Sequence, residues 1–384
     1  MSGQTGLIAF TQASSTALEL KYVADAIVTG LLSGDGPYTV KASELLSPMV
    51  GGGSCLLTTS CTHALEMAGL LLELQPGDEV ILPSFTFVSS ATAFVLRGAV
   101  PVFVDIRPDT LNIDEQLLEE AITERTKAIV VVHYGGVACE MRTISAIAEK
   151  HGIPVIEDNA HGLGAAYHGQ PLGSFGVMAT QSFHVTKNVS CGEGGALVLN
   201  SEELVHRAEI LREKGTNRSQ FFRGEVDKYR WVDIGSSYLP SDMLAAVLSA
   251  QLERFEDMQD RRQLLWSRYD EHLATWCKEY DAVQPTVPEG CSHPAHVYYL
   301  LLPSAEDRTR FIREMREVGI IAPSHYVPLH SSPYGSEVGR TGPSGCEVTQ
   351  DLADRIVRLP LFVDLTDAQQ AKVIDEVRRF RPQA

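Results

Sequence analysis

Two segments carry residue types that could do chemistry together. In Ile156-Glu157-Asp158-Asn159-Ala160-His161 an apolar run ends on acids. Asp158 then stands at the carboxyl end of a buried strand, where open α/β sheets place their ligands. A carboxylate there is costly unless it meets a cation or hydrogen-bond donors, although capping a following helix would also account for it. In Ser182-Phe183-His184-Val185-Thr186-Lys187-Asn188 the lysine lies between another strand end and the glycine-rich Cys191-Gly192-Glu193-Gly194-Gly195. Close backbone surroundings that lower its pKa would make such a lysine a nucleophile toward carbonyls. An ordinary surface lysine is the plain alternative. The pairing with Asp158, about one α/β crossover away, favours the chemical reading.

Bringing those groups together requires strands that end at one edge of a sheet. Short apolar runs at 79–82, 100–104, 128–133, 154–157, 179–183 and 196–199 read as strands, and helical patterns at 64–74, 114–122, 143–150 and 201–213 fill the intervals. Turn chemistry separates them, as in Pro76-Gly77-Asp78, Arg97-Gly98 and His151-Gly152. Runs apolar on both faces suit parallel strands covered by helices, which predicts an α/β fold. Past Pro240 a long helical pattern at 241–276 leads into a proline-rich connection at 284–294. A strand at 297–302 and helices at 307–318 and 366–380 follow, the mixture of a smaller α+β domain. This predicts a large domain at 1–250 and a small one at 251–384.

The charge balance narrows the partners. With 49 acidic against 32 basic residues the formal charge is −17, which repels nucleic acid and anionic membranes. An anionic substrate therefore needs a local basic patch. The seven cysteines form no Cys-x-x-Cys and no metal-like spacing with histidine, so reduced thiols and no metal are expected. No signal peptide and no membrane-length apolar run is apparent, and a cytoplasmic location is the expectation.

Further motifs surround the two segments: Thr59-Ser60-Cys61-Thr62-His63-Ala64-Leu65, Pro83-Ser84-Phe85-Thr86-Phe87 and His325-Tyr326-Val327-Pro328-Leu329-His330. Together with Asp158-x-x-His161, Ser182-Phe-His-x-x-Lys187 and the Gly-Glu-Gly-Gly that follows, they resemble the DegT/DnrJ/EryC1/StrS sugar-nucleotide aminotransferases, in the same order over nearly the whole chain. The segment Arg230-Trp231-Val232-Asp233-Ile234-Gly235-Ser236-Ser237-Tyr238-Leu239-Pro240 is most similar to one branch. That branch makes dTDP-4-amino-4,6-dideoxygalactose from dTDP-4-keto-6-deoxyglucose, with glutamate as amino donor, for surface polysaccharides.

The resemblance implies a PLP-dependent transferase of fold type I, aspartate-aminotransferase-like, with a mostly parallel seven-stranded sheet and a smaller C-terminal α+β domain. It also implies a homodimer with shared active sites. It makes Lys187 the lysine that binds pyridoxal 5'-phosphate (PLP) covalently and moves protons, and Asp158 the partner of the pyridine nitrogen. His161 would lie near the ring hydroxyl and Phe87 would stack on the ring. The turn Ser60-Cys61-Thr62 opens a predicted helix whose N–H groups suit a phosphate, with Thr62 expected both to contact it and to cap the helix. Ser182 is the second phosphate contact. Ser237 stands where many relatives have an asparagine reaching the neighbouring subunit's phosphate, and a serine has a shorter reach. Tyr326 and His330 are candidate substrate contacts.

Between Lys214 and Arg230 the sequence gathers five basic residues with Phe221, Phe222 and Tyr229, in a stretch without periodicity that reads as a loop. Arg223 and Lys228 are candidates to hold a sugar nucleotide's diphosphate, against the plainer reading of a solvated basic loop. Three rivals to the aminotransferase reading remain. A related sugar dehydratase would carry histidine in place of Lys187. A cysteine desulfurase would need a mobile reactive thiol, whereas Cys346 adjoins a helical pattern at 348–357 and reads as structural. A non-catalytic PLP-binding regulatory module would carry an added DNA-binding part, which the acidic charge disfavours. An aminotransferase acting on another keto-sugar nucleotide is the nearest alternative.

Overall fold

The computed structural model describes residues 6–383, so both outer ends of the expected 1–250 and 251–384 division lie outside the described residues. Seven strands build the main sheet: β1 (Ser54–Thr58), β2 (Glu79–Pro83), β3 (Val100–Val104), β4 (Thr126–Val132), β5 (Val155–Asp158), β6 (Met178–Ser182) and β7 (Gly195–Leu199). Later strands include β8 (Tyr298–Leu301), β9 (Arg340–Thr341) and β10 (Ile356–Leu359). The sheet order is β1-β7-β6-β5-β4-β2-β3-β9, so the expected seven strands gain a two-residue eighth at one edge. Glu79 accounts for that addition, because Arg340 of β9 reaches its carboxylate at 2.8 Å. All neighbours pair parallel except β7, which runs antiparallel to both β1 and β6.

The central strands are buried along their length, as apolar runs covered by helices on both faces must be. β1 is absent from the sequence reading. It passes into the cap of the next helix with only Thr59 between, leaving no turn signal to mark a strand end. The pattern at 241–276 divides into two helices, Asp242–Glu253 and Phe255–Glu279. Arg254 leaves helical geometry between them while its guanidinium pairs with Glu19 at 3.1 Å. The stretch read as a loop at 214–230 contains the short helix Arg218–Phe222.

β8 and β10 pair antiparallel beneath a second core that includes Leu265, Tyr269, Phe311 and Val373. Ile8 belongs to that core, and Leu361 N–H donates to Phe10 O at 3.2 Å. The start of the chain is thereby stitched to its C-terminal part, which brings Phe10 and Thr11 to the rim of the site. No helix among the described residues is long and apolar enough to cross a membrane.

Candidate active site

The carboxyl ends of β1, β5 and β6 converge on a cavity of about 700 Å³, ample for a cofactor with a small substrate. β5 ends on the buried Asp158. Its Oδ2 accepts from Ser90 Oγ at 2.6 Å and its Oδ1 from the Ala160 N–H at 3.2 Å. Residues 159–165 form turns and not a helix, so helix capping does not account for this carboxylate. Lys187 occupies the turn after β6, its N–H bonded to His184 O at 2.9 Å. Its amine faces the same cavity. Burial lowers the Lys187 pKa to about 8, and the Arg358 charge pushes the same way against Cys61 and Asp158.

The antiparallel course of β7 shapes the other end of the cavity. Gly195 begins that strand opposite both Thr58 and Ser182. A Cβ there would meet Cys61 N at 2.3 Å, so only glycine lets the start of the helix Cys61–Leu71 come this close. Ser60 caps that helix through the His63 N–H at 3.1 Å. The expectation that Thr62 caps it is therefore corrected: its hydroxyl bonds to Ser89 Oγ at 2.7 Å instead. Among the described residues the N–H groups of Cys61 and Thr62 have no hydrogen-bond acceptor, which leaves them available to an anion. Burial pushes the Cys61 thiol strongly up, so it stays a thiol and serves as wall. Ser182 completes this side.

The opposite wall is aromatic. His161 Nδ1 accepts the Gly135 N–H at 3.2 Å, which leaves the neutral ring's proton on Nε2, 3.4 Å from Tyr326 Oη. Burial drives its pKa well down, with Lys187 and Arg358 adding to the effect. The His296 ring lies tilted against His161 at 4.3 Å, and His325 stacks on Tyr326 at 3.6 Å. Phe87 is 56% exposed and lines the cavity, an unusual position for a phenylalanine and one open to a flat ligand.

Eight of the expected residues thus share one cavity: Cys61, Thr62, Phe87, Asp158, His161, Ser182, Lys187 and Tyr326. Four do not line it. Ser237 is exposed and bridges Glu213. Arg223 pairs with Glu209 at 2.9 Å and Glu225 at 2.7 Å, and Lys228 lies exposed in the same stretch. His330 Nδ1 meets Ser84 Oγ at 2.7 Å. Cys346 is buried against Phe103, with no open thiol for desulfuration.

The sequence reading passed over Ser90, His296 and Arg358, and it quoted His325 in a motif without giving it a role. Arg358 left a trace, since it is a lone charge in Ile356-Val357-Arg358-Leu359-Pro360-Leu361. His296 left none, because nothing near it in the chain marks it as facing a cavity.

Over residues 14–378 the sequence matches the DegT/DnrJ/EryC1/StrS aminotransferase family. The chain belongs to this family. It is 33% identical, over 94% of this chain and 93% of the relative, to the spore coat polysaccharide biosynthesis protein SpsC of Bacillus subtilis. The solved aminotransferase TlmJ of Streptoalloteichus hindustanus superposes with a TM-score of 0.89 at 30% identity, covering 97% of this chain and 98% of that one. Spr1654 of Streptococcus pneumoniae, a proposed sugar aminotransferase, has been solved in PLP and PMP forms. Both are 28% identical, with TM-scores of 0.87 and 0.88 and coverage of 97% and 98%. The architecture is the PLP-dependent aminotransferase fold that the sequence led us to expect.

Proposed function

We propose that this aminotransferase moves the amino group of L-glutamate to C4 of dTDP-4-keto-6-deoxy-D-glucose, giving dTDP-4-amino-4,6-dideoxy-D-galactose and 2-oxoglutarate for surface polysaccharide synthesis. Its cofactor is pyridoxal 5'-phosphate, and the chain is a PLP-dependent sugar aminotransferase. One arrangement carries the reading: Lys187 and Asp158 open into a single cavity that also holds a helix N-terminus with free N–H groups.

The residues present fit this cofactor. A lysine whose amine is held near pKa 8 suits covalent attachment to an aldehyde, and the paired donors on Asp158 hold a carboxylate ready for a protonated ring nitrogen. The N–H groups of Cys61 and Thr62, with the Ser182 hydroxyl, would take the phosphate. Phe87 would cover one face of the ring, and the His161 edge lies on the wall shared with Tyr326. When bound, the cofactor supplies an electron sink that lets an amino acid exchange its amine for a ketone. Lys187 Nζ would carry a proton to and from the reacting carbon.

A homodimer belongs to the same proposal. Phe222, Trp231 and Val232 stand 67%, 81% and 52% exposed in one segment, an apolar surface that a second copy would cover. On that reading Ser237, Arg223 and Lys228 serve the neighbouring subunit's site. The seven free thiols support a reducing, cytoplasmic location.

The test is incubation of the purified holoenzyme with dTDP-4-keto-6-deoxyglucose and glutamate, followed by NMR of the product. An axial C4 amine on a 6-deoxy sugar is expected. No amino sugar from this ketone, with one formed from a different keto-sugar nucleotide, would overturn the substrate while leaving the class intact.

A further inference from the structure

His296 lines the cavity from the stretch 293–297 that leads into β8, and it is 8% exposed. Three parts of the molecule clamp that stretch. The buried Arg262, in the helix Phe255–Glu279, donates from Nε to Ala295 O at 3.1 Å and from Nη2 to His296 O at 2.7 Å. A Cβ at Gly136 would meet Pro294 Cδ at 2.2 Å, so that backbone and the proline ring pack directly together. Asn188, the residue after Lys187, is the third hold. Its Nδ2 donates to Pro294 O at 2.7 Å, and its Oδ1 meets His296 Nδ1 at 2.8 Å.

The Asn188 amide decides where the imidazole carries its proton. Pro294 O can only accept, so the amide turns Nδ2 toward it. Its Oδ1, which also only accepts, then faces His296, and Nδ1 has to be the donor. Burial drives the His296 pKa well down, with His161, Lys187, Arg262 and His325 adding to the effect, so the ring is neutral. A neutral ring protonated on Nδ1 carries a lone pair on Nε2. Among the described residues nothing donates to that lone pair, although the residue is more than nine-tenths buried. With Nδ1 turned to Asn188, the Nε2 edge is the one left to the cavity.

An acceptor in a cavity wall calls for a ligand that donates, and the two substrates differ in this respect. Glutamate brings two carboxylates, which only accept, and an amine, which is the group consumed. A 4-keto-6-deoxy sugar carries a 3-hydroxyl next to its carbonyl, a donor that survives the reaction. Its diphosphate offers no donor and lies a whole sugar ring away. His296 is close enough to Lys187 for that charge to act on its ring, so the group it meets lies near the reacting carbon. We propose that Asn188 holds His296 as a hydrogen-bond acceptor for the hydroxyl beside the sugar's carbonyl. His296 is then a specificity residue of the sugar half-reaction, and Asn188 is its positioning residue. The inference rests on the keto-sugar reading given above and names the part of the sugar that the site recognises.

The experiment measures kcat/KM of the holoenzyme, with glutamate as donor, for dTDP-4-keto-6-deoxyglucose and for the same ketone lacking its 3-hydroxyl. The wild type should prefer the hydroxylated ketone roughly 10- to 100-fold, because the deoxygenated one leaves Nε2 unpaired. His296→Phe keeps a flat ring without the lone pair and should bring the two ketones within about twofold of each other. His296→Gln restores an oxygen acceptor and should keep part of the preference. Asn188→Ala frees the ring to move its proton to Nε2 and should lose most of it. Each preference compares two ligands on one protein, so a general loss of packing or cofactor lowers both values and leaves their ratio unchanged. The full wild-type preference in His296→Phe would overturn the role of His296, and in Asn188→Ala that of Asn188. Should His296→Phe not fold, loss of all preference in His296→Gln together with full preference in Asn188→Ala would overturn the inference. A wild type that aminates both ketones equally would also overturn it and leave the substrate reading standing. A wild type that aminates neither loses the substrate reading and this inference together.

Discussion

Ser90 Oγ donates to Asp158 Oδ2 at 2.6 Å, tying the first turn of the helix Ser89–Val95 to the carboxyl end of β5. Both groups are buried, and Thr86 Oγ1 lies 2.7 Å behind the serine. The carboxylate is therefore oriented by a hydroxyl relay and by one backbone N–H. Removing the relay should leave the charge but loosen its aim. We expect Ser90→Ala to lower amino transfer about tenfold, with cofactor retained. Asp158→Asn should fall much further, because it removes the charge that steadies the ring nitrogen's proton during reaction. Single-turnover rates on cofactor-loaded protein make the comparison, and equal rates in Asp158→Asn and wild type would reduce Asp158 to a turn residue.

Lys187→Ala should abolish turnover while leaving the fold intact, since its side chain makes no hydrogen bond among the described residues. Borohydride treatment of the yellow wild type should leave a stable adduct on Lys187, read by mass spectrometry. An adduct on a different lysine would remove the assignment.

The lowered amine predicts a pH dependence. Burial moves the Lys187 pKa down to about 8, so the neutral, nucleophilic form rises through that value and not near the ~10.4 of a free lysine. Covalent capture of PLP by cofactor-free protein should accelerate from pH 6.5 and level off above about pH 8.5. A midpoint above about 9.5 would show that the amine is not desolvated in solution.

At the amino end of β2, opposite the cavity, Glu79 should govern acid stability. Burial alone would raise its pKa, but bonds from Arg340, Thr123 and Arg125 overcome this and hold it at about 2. Its folded pKa lies below its unfolded value, so its contribution is present above about pH 4.5 and lost as pH falls toward 2. Arg340→Ala should cost about 1–3 kcal/mol at neutral pH, because Arg125 still pairs with Glu79, and should move the acid transition upward. Thermal melts between pH 3 and 7 measure both effects. An unchanged acid limb would mean that Arg340 contributes only local packing.

The basic segment offers a separate test of the proposed shared site. Arg223→Ala and Lys228→Ala should each raise the KM for the sugar nucleotide about 3- to 10-fold and leave the glutamate half-reaction near the wild-type rate. Arg223 must be released from Glu209 and Glu225 to act, so its effect should be the smaller of the two. Normal KM values in both variants would leave the segment as a charged surface, with the diphosphate held elsewhere.

The features legible in the amino-acid sequence are local in origin. The strand ends carrying Asp158 and Lys187 follow from apolar runs that stop at turn residues, and each is encoded within a few positions. The phosphate turn is legible for the same reason, apart from the identity of its cap, where Ser60 and Thr62 are equally good candidates by type and only backbone geometry separates them. The break at Arg254 is not legible, because helical periodicity continues across it and a contact with the distant Glu19 accompanies it.

By itself, then, the sequence determined which residues carry the chemistry and which α/β framework holds them, since both arise from short-range pattern and turn chemistry. Tertiary structure alone decided that Ser90 aims Asp158 from 68 residues away, that His296 packs against His161, and that Arg358 meets the cavity without an acid beside it. These depend on how strands register and pack across the chain, and no residue's neighbours in sequence record which side of a sheet will close over it.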